Sequence, residues 1–247
     1  MMNSSVRAIV TSDWHADAMT LGVLRYREVE EFADTVTRHT IEVDSAKTPA
    51  LFVFAGDLSD PDPPRCWRAS ALAVSVARAL SERGIPSIWI TGNHDVLEDG
   101  EGSHTLMPVG GLPQSLVHVV DRPGPVYPFR GDPEYDGLCV LCYPYTPRSH
   151  AYDPATVGLG LSRDPELIVG HLMIEGIDAG SETKDFARGR DVFLPIDEIR
   201  SRWPTSHVVN GHYHEGKNYR GVHIPGAPLR LTLGEAANQP RYLEINL

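Results

Sequence analysis

Cysteine is scarce in this chain. Three thiols in 247 residues, Cys66, Cys139 and Cys142, are too few for the disulfide framework of a small secreted scaffold, and they favour a reducing cytosol. Cys139 and Cys142 form a CxxC pair, but inside an apolar run that reads as a strand. Residues three apart on a strand point to opposite faces, so these are expected as buried thiols. Long apolar runs are missing as well. No stretch approaches the roughly 20 residues of a membrane span and the N-terminus has no signal-peptide core, so no membrane partner is expected. Basic charge is in deficit: Lys and Arg number 22 against 33 Asp and Glu, a formal net charge of −11. That argues against nucleic-acid binding through a broad basic surface. Repeats, low-complexity tracts and long linkers are also absent. What remains is an ordinary globular composition, 41% hydrophobic and 22% charged. Its length fits one α/β domain over residues 1–247.

The organisation reads as strand, loop and helix, repeated. Val6 to Thr11 is a strand ending at Asp13. Val29, Phe32, Ala33 and Val36 fall at helical spacing and predict a helix from about Leu21 to Ile41. Ala50 to Ala55 is continuously apolar, as in a central strand covered on both faces, and ends at Gly56-Asp57. A second helix from about Arg65 to Glu82 stops at Gly84. Ser87 to Thr91, Leu138 to Tyr143, Glu166 to Val169 and Val208-Val209 are further strands, and Pro195 to Arg202 a short helix. Loops are expected over 98–114 and 172–190, and 121–136 should wind over the surface. The tail reads as strands at Tyr219 to Ile224, Leu229 to Leu233 and Arg241 to Ile245. An alternating βαβα half followed by a strand-rich half predicts two sheets packed together and flanked by helices.

Five polar clusters stand at the ends of these strands: Asp13-Trp14-His15, Gly56-Asp57, Gly92-Asn93-His94-Asp95, Gly170-His171 and Gly211-His212-Tyr213-His214. A single Asp-x-His or Gly-Asp is an ordinary polar turn. Five together, each after a strand, are another matter, because ligands of open α/β sheets bind at the carboxyl ends of strands. The residue types are carboxylate, imidazole and amide with no thiolate, a donor set for Mn²⁺, Fe or Zn²⁺. Two such ions sharing a carboxylate polarise a phosphoryl group and activate water for its hydrolysis.

These motifs resemble those of the calcineurin-like metallophosphoesterases: DxH, GD, GNHD, GH and GHxH, all complete between residues 13 and 214. The resemblance implies a four-layer αββα sandwich of two mixed sheets flanked by helices. It implies two divalent ions, Mn²⁺ first among them, with Fe, Zn²⁺ and Ni²⁺ admitted by the same donors. Asp13, His15 and His214 would hold one ion, Asn93, His171 and His212 the other, and Asp57 would bridge them. His94 would face the substrate and protonate the leaving oxygen. Within the superfamily the chain is similar to the SbcD-type DNA double-strand-break repair nucleases of bacteria and phages. The likeness lies in Ser12-Asp13-Trp14-His15, Tyr143-Pro144-Tyr145, Leu194 to Ile199, Ile224 to Pro228 and Leu233-Gly234-Glu235. It implies a DNA exo- or endonuclease of recombination or repair in a bacterial or phage-infected cytosol. It also implies an SbcC-type ATPase partner and a homodimer, with no separate DNA-capping domain in the 247 residues.

One position departs from the nuclease pattern. Three residues after Asp57, where those nucleases carry histidine, stands Asp60. Aspartate there resembles the protein phosphatases and cyclic-nucleotide phosphodiesterases, and it is expected either to hydrogen-bond His94 as part of the catalytic machinery or to serve as a turn or N-cap residue beside Pro61. A small-molecule or cyclic-nucleotide phosphodiesterase is therefore the alternative reading. Of the other histidines only His104 could reach the site, and a surface or structural role is the expectation for it too; Tyr152, Tyr213 and Tyr219 could stack on bases but are expected to serve packing, and Arg148, Arg188 and Arg190 could meet phosphates or equally well be solvated loop charges.

Overall fold

The computed structural model describes residues 5–46, 48–60, 67–97, 101–146, 150–177 and 192–247. Cys66, Arg148, Arg188 and Arg190 lie outside these residues. Thirteen strands and three α-helices are described. In chain order they are β1 (Arg7–Thr11), β2 (Met19–Thr20), β3 (Val23–Leu24), α1 (Tyr26–Ser45), β4 (Ala50–Ala55), α2 (Trp67–Ser81), β5 (Ser87–Ile90), β6 (Val117–Val120), β7 (Gly124–Val126), β8 (Val140–Tyr143), β9 (Leu167–Gly170), α3 (Ile196–Arg202), β10 (His207–Asn210), β11 (Lys217–Tyr219), β12 (Val222–Ile224) and β13 (Leu243–Asn246).

Two large mixed sheets carry the fold. The first has the order β13-β1-β4-β5-β6 and the second β11-β12-β10-β9-β8-β7. Each has a parallel centre: the first carries antiparallel β13 on one edge and parallel β6 on the other, and the second is closed by antiparallel β7 on β8 and β11 on β12. Alternation along the strands sorts side chains into layers. Ile9, Phe52, Phe54 and Trp89 face Val29, Ala33, Val36, Ala73 and Leu80 of α1 and α2. Their neighbours Ala8, Val10, Leu51, Val53, Ile88 and Ile90 face Val140, Cys142, Leu167, Val169 and Val209 of the second sheet. Leu141, Ile168 and Val208 point the other way, onto Ile196 and Ile199 of α3. The result is four layers, helices, sheet, sheet and helix, as the motifs implied. Cys139 and Cys142 are buried free thiols, and burial pushes the Cys142 thiol far above its ordinary range.

Three expectations need correction. The first helix starts at Tyr26 rather than about Leu21 and continues to Ser45. Residues 19–24 instead form the β2–β3 hairpin, turned by Leu21 and Gly22 at positive φ, with Leu21 and Val23 exposed. The run from Leu229 to Leu233 is not a strand. It leads into a 3-10 turn at Leu233–Glu235, where Thr232 and Glu235 form a capping box, so side chains satisfy backbone groups that a sheet neighbour would have satisfied. Tyr219 to Ile224 is likewise split into a hairpin by Arg220 and Gly221, both at positive φ. No helix among the described residues is long and apolar enough to cross a membrane.

Candidate metal centre

The parallel strands β1, β4, β5, β9 and β10 all deliver their C-terminal loops to one end of the sandwich. Backbone hydrogen bonds continue past the strand ends: Asp13 N donates to Gly56 O, His15 N to Asp57 O, His171 N to Tyr143 O and Gly211 N to Gly170 O. The chain turns sharply there. Asp13, His15, Asp57 and His212 have φ of 53°, 41°, 60° and 77°, four of the six described non-glycine residues with positive φ. Such conformations cost about 1–3 kcal/mol each and persist where surrounding contacts over-determine them. Trp14 and Tyr213, the middle residues of the two x-containing motifs, supply part of that constraint. Trp14 is buried against Phe54 with centroids 4.9 Å apart and donates Nε1–H to Thr11 Oγ1. Tyr213 is buried in the outer core of the second sheet and its hydroxyl accepts Ile174 N–H at 2.7 Å. Each plugs an outer layer and thereby turns its two flanking polar residues inward.

Two donor clusters result. Asp13, His15 and His214 converge, with His15 Nε2 and His214 Nε2 3.0 Å apart. Asp57, His171 and His212 form the second, and Asn93 Oδ1 lies 3.1 Å from His171 Nε2 and 2.9 Å from His212 Nδ1. Asp57 stands between them: its Oδ2 is 3.1 Å from His171 Nε2 and 3.8 Å from His15 Nε2. All six carboxylate and imidazole donors are buried, whereas Asn93 and His94 are half-buried at the mouth. The two sheets are tied across the site, since His171 Nδ1 donates to Ala55 O at 2.7 Å and His212 N donates to Asp13 Oδ1 at 3.0 Å.

These contacts fit a metal. A carbonyl only accepts, so the Ala55 bond fixes a hydrogen on His171 Nδ1 and turns Nε2 toward Asp57 and Asn93. Asp13 Oδ2 is buried with no hydrogen-bond partner among the described residues. Without a cation the charges are in conflict. Burial pushes Asp13 up to about 7, while His171 and His214 pull it down and Asp57 adds to the rise. Burial would raise Asp57 too, but His171, His94 and His15 bring it well below the usual carboxylate range. Burial opposes a charge on His171, yet Asp57 and Asp13 raise it to about 9, so a proton on Nε2 occupies the place where a cation would sit. His212 is lowered to about 3 by burial and by His171, and His15 well below its ordinary value by burial, His214 and His94. Divalent ions would replace that proton and pair both acids.

The small and acidic members of the motifs have their own tasks. A Cβ at Gly92 would overlap Asp57 Oδ1, and one at Gly56, whose φ is +91°, would overlap His171 Nδ1. Asp95 is fully buried: Oδ2 accepts from Asp57 N and Gly92 N, and Oδ1 from Leu58 N, Ser59 N and Thr105 Oγ1. It pins the bridging loop to the Asn93-His94 loop. Burial, then Asp57, pushes its pKa up to about 6. His94 is fixed from its backbone, since its N–H donates to Asp57 Oδ1 at 2.9 Å. Asp60 Oδ1 lies 3.9 Å from both His94 Nδ1 and His15 Nδ1, within ion-pair range and beyond a hydrogen bond. Its N–H donates to Asp17 Oδ1. His104 faces Asp121 at 3.8 Å. Tyr152 donates its hydroxyl to Pro144 O. Glu235, whose Oε1 lies 3.0 Å from His214 Nδ1, was not expected at the site; its sequence signal is the Thr-x-x-Glu spacing of a capping box.

The sequence profile of the calcineurin-like phosphoesterases matches residues 6–216, and the chain belongs to that family. It is a metallophosphoesterase, a hydrolase whose two buried clusters suit divalent metals. Comparison with curated proteins gave no match. Among solved structures the chain is similar to phosphopantetheinyl hydrolase (PptH) from Mycobacterium tuberculosis, at 12% identity and a TM-score of 0.45 over 99% of this chain and 97% of that one.

Proposed function

We propose that this calcineurin-like phosphoesterase hydrolyses phosphodiesters with two divalent ions, Mn²⁺ by preference, and that its substrate is DNA, as in the SbcD-type nucleases. The observation that carries the reading is Asp57, placed between two buried donor clusters while its Oδ1 holds the backbone of His94. Asp13, His15 and His214 would hold one ion, and Asn93, His171 and His212 the other, with Asp57 shared. Bound there, the ions supply Lewis-acid polarisation of the phosphoryl group and an activated water. The chain's own contribution is position. His94, half-buried beside the clusters, would donate a proton to the leaving oxygen, and the strand ends would hold the acids in register. DNA is favoured by the segment after the Gly-His-x-His motif, Ile224 to Pro228 and Leu233 to Glu235. The net charge of −11 places most of the DNA grip on a partner, an SbcC-type ATPase or a second copy of the chain.

A small phosphodiester is the second reading, favoured by Asp60 and by the same acidity. The deciding experiment is a panel with Mn²⁺: linear duplex DNA, single-stranded DNA, cyclic AMP and bis-p-nitrophenyl phosphate. Degradation of DNA that disappears in EDTA and in His94→Ala supports the nuclease. Turnover of the small diesters alone selects the second reading. No turnover of any of the four defeats both.

A further inference from the structure

Glu235 lies outside all five motifs and outside the segment that matches the family profile. It is nonetheless buried, 6% exposed, beside His214. Its two oxygens have separate tasks. Oε2 accepts Leu231 N–H at 2.6 Å and Thr232 N–H at 3.3 Å, which closes the capping box. Oε1 lies 3.0 Å from His214 Nδ1. A carboxylate only accepts, so the imidazole must donate there. The opposite nitrogen, Nε2, is then the one turned to the first donor cluster, 3.0 Å from His15 Nε2.

We propose that Glu235 is a positioning residue for the metal centre: by accepting the Nδ1 hydrogen of His214 it fixes the tautomer and ring orientation that aim Nε2 at Asp13 and His15. The proposal rests on the reading of those three residues as ligands. A merely structural Glu235 would need only Oε2, the oxygen that accepts the two turn N–H groups. The support is itself anchored. Leu231 O accepts from Thr20 Oγ1 at 3.1 Å, and Thr20 belongs to the hairpin that follows the Asp13–His15 loop. Both halves of the first cluster, from opposite ends of the chain, are thus registered through one hydrogen-bonded segment. Carboxylate support of a ligating histidine is worth about 10–100-fold in metal affinity.

The test uses metal-stripped wild type, Glu235→Ala, Glu235→Gln and Thr232→Ala. Two quantities are read: calorimetric Mn²⁺ affinity at each site, and the His214 tautomer from long-range ¹H–¹⁵N spectra of the metal-free protein at mildly alkaline pH. Glu235→Ala is expected to weaken one Mn²⁺ site about 10–100-fold, to leave the other unchanged, and to mix the His214 tautomers. Glu235→Gln, whose amide oxygen can still accept, recovers the Nδ1–H tautomer and most of the affinity. Thr232→Ala, which loosens the turn alone, keeps both. The proposal is overturned by wild-type affinities and an unmixed tautomer in Glu235→Ala, or by an equal loss in Thr232→Ala. If Glu235→Ala does not fold, a wild-type His214 carrying its hydrogen on Nε2 overturns it equally. Wild type that binds no Mn²⁺ would sink the metal reading instead, and the metal-free tautomer would still decide the Glu235–His214 bond.

Discussion

The metal-free protein should lose stability as pH rises from about 6.5 to 9, and His171 is the reason. Its Nδ1–H is held by Ala55 O and its Nε2 lies 3.1 Å from Asp57 Oδ2, so the fold favours the doubly protonated ring against the cost of burial and raises its pKa to about 9. An unfolded histidine titrates near 6.5. A raised pKa gives stability that is complete below the unfolded value and lost as pH climbs through the folded one. The rise from 6.5 to about 9 corresponds to about 3 kcal/mol, a large part of the ~5–15 kcal/mol that holds a domain together. Among the other groups, Cys139 and Cys142, raised by burial, add a fall of the same sign toward pH 9. His15 and His212, which are lowered, gain their contribution below pH 6.5, and Asp95 loses its own below about 6. Asp13, raised to about 7, adds a small fall of the same sign at the start. Urea unfolding after EDTA treatment is the assay. With a slope of about 2–3 kcal/mol/M the midpoint should drop by about 1 M between pH 6.5 and 9, and His171→Asn should flatten the curve. A midpoint that holds level or rises across that window refutes the placement of the proton between His171 and Asp57.

Four further outcomes follow from the same geometry. Saturating Mn²⁺ should raise the thermal midpoint and flatten the pH dependence, by about 2.7 kcal/mol at one hundred times the dissociation constant; a chelator-insensitive midpoint refutes this. Gly92→Ala should destabilise by about 1–3 kcal/mol and weaken Mn²⁺ binding together, because the new Cβ overlaps Asp57 Oδ1; calorimetry and urea unfolding check both. His94→Ala should lower turnover of a diester about 10²–10⁴-fold with Mn²⁺ affinity unchanged, measured by kinetics and titration on the same preparation. Asp60→Asn should move the basic limb of the pH–rate profile to lower pH, since the carboxylate 3.9 Å from His94 Nδ1 favours the imidazolium; an unmoved profile removes Asp60 from the chemistry.

Most of the fold and the clustering of the candidate ligands were legible because one physical rule governs both. A continuously buried strand such as Ala50–Ala55 can stand only in the middle of a covered sheet, and a polar residue directly after it has nowhere to go but the strand's carboxyl end. Trp14 and Tyr213 extend the rule. As large side chains between polar neighbours they look like candidates for contact with substrate, yet each is buried in an outer core and fixes its neighbours by facing away from them. What sequence pattern missed is what tertiary partners decide. Leu21 to Leu24 has enough apolar character to read as the first turn of a helix, but Leu21 and Gly22 at positive φ turn the segment into a hairpin. Leu229 to Leu233 has the composition of a strand, but Thr232 and Glu235 cap its end and no strand among the described residues pairs with it. Glu235 was missed at the site for the same reason. Periodicity assigns a residue to a face, whereas its importance lies in a contact 21 positions back with His214. The motifs therefore locate the donors, while the second layer that orients them is written in capping and turn chemistry, outside the residues that identify the family.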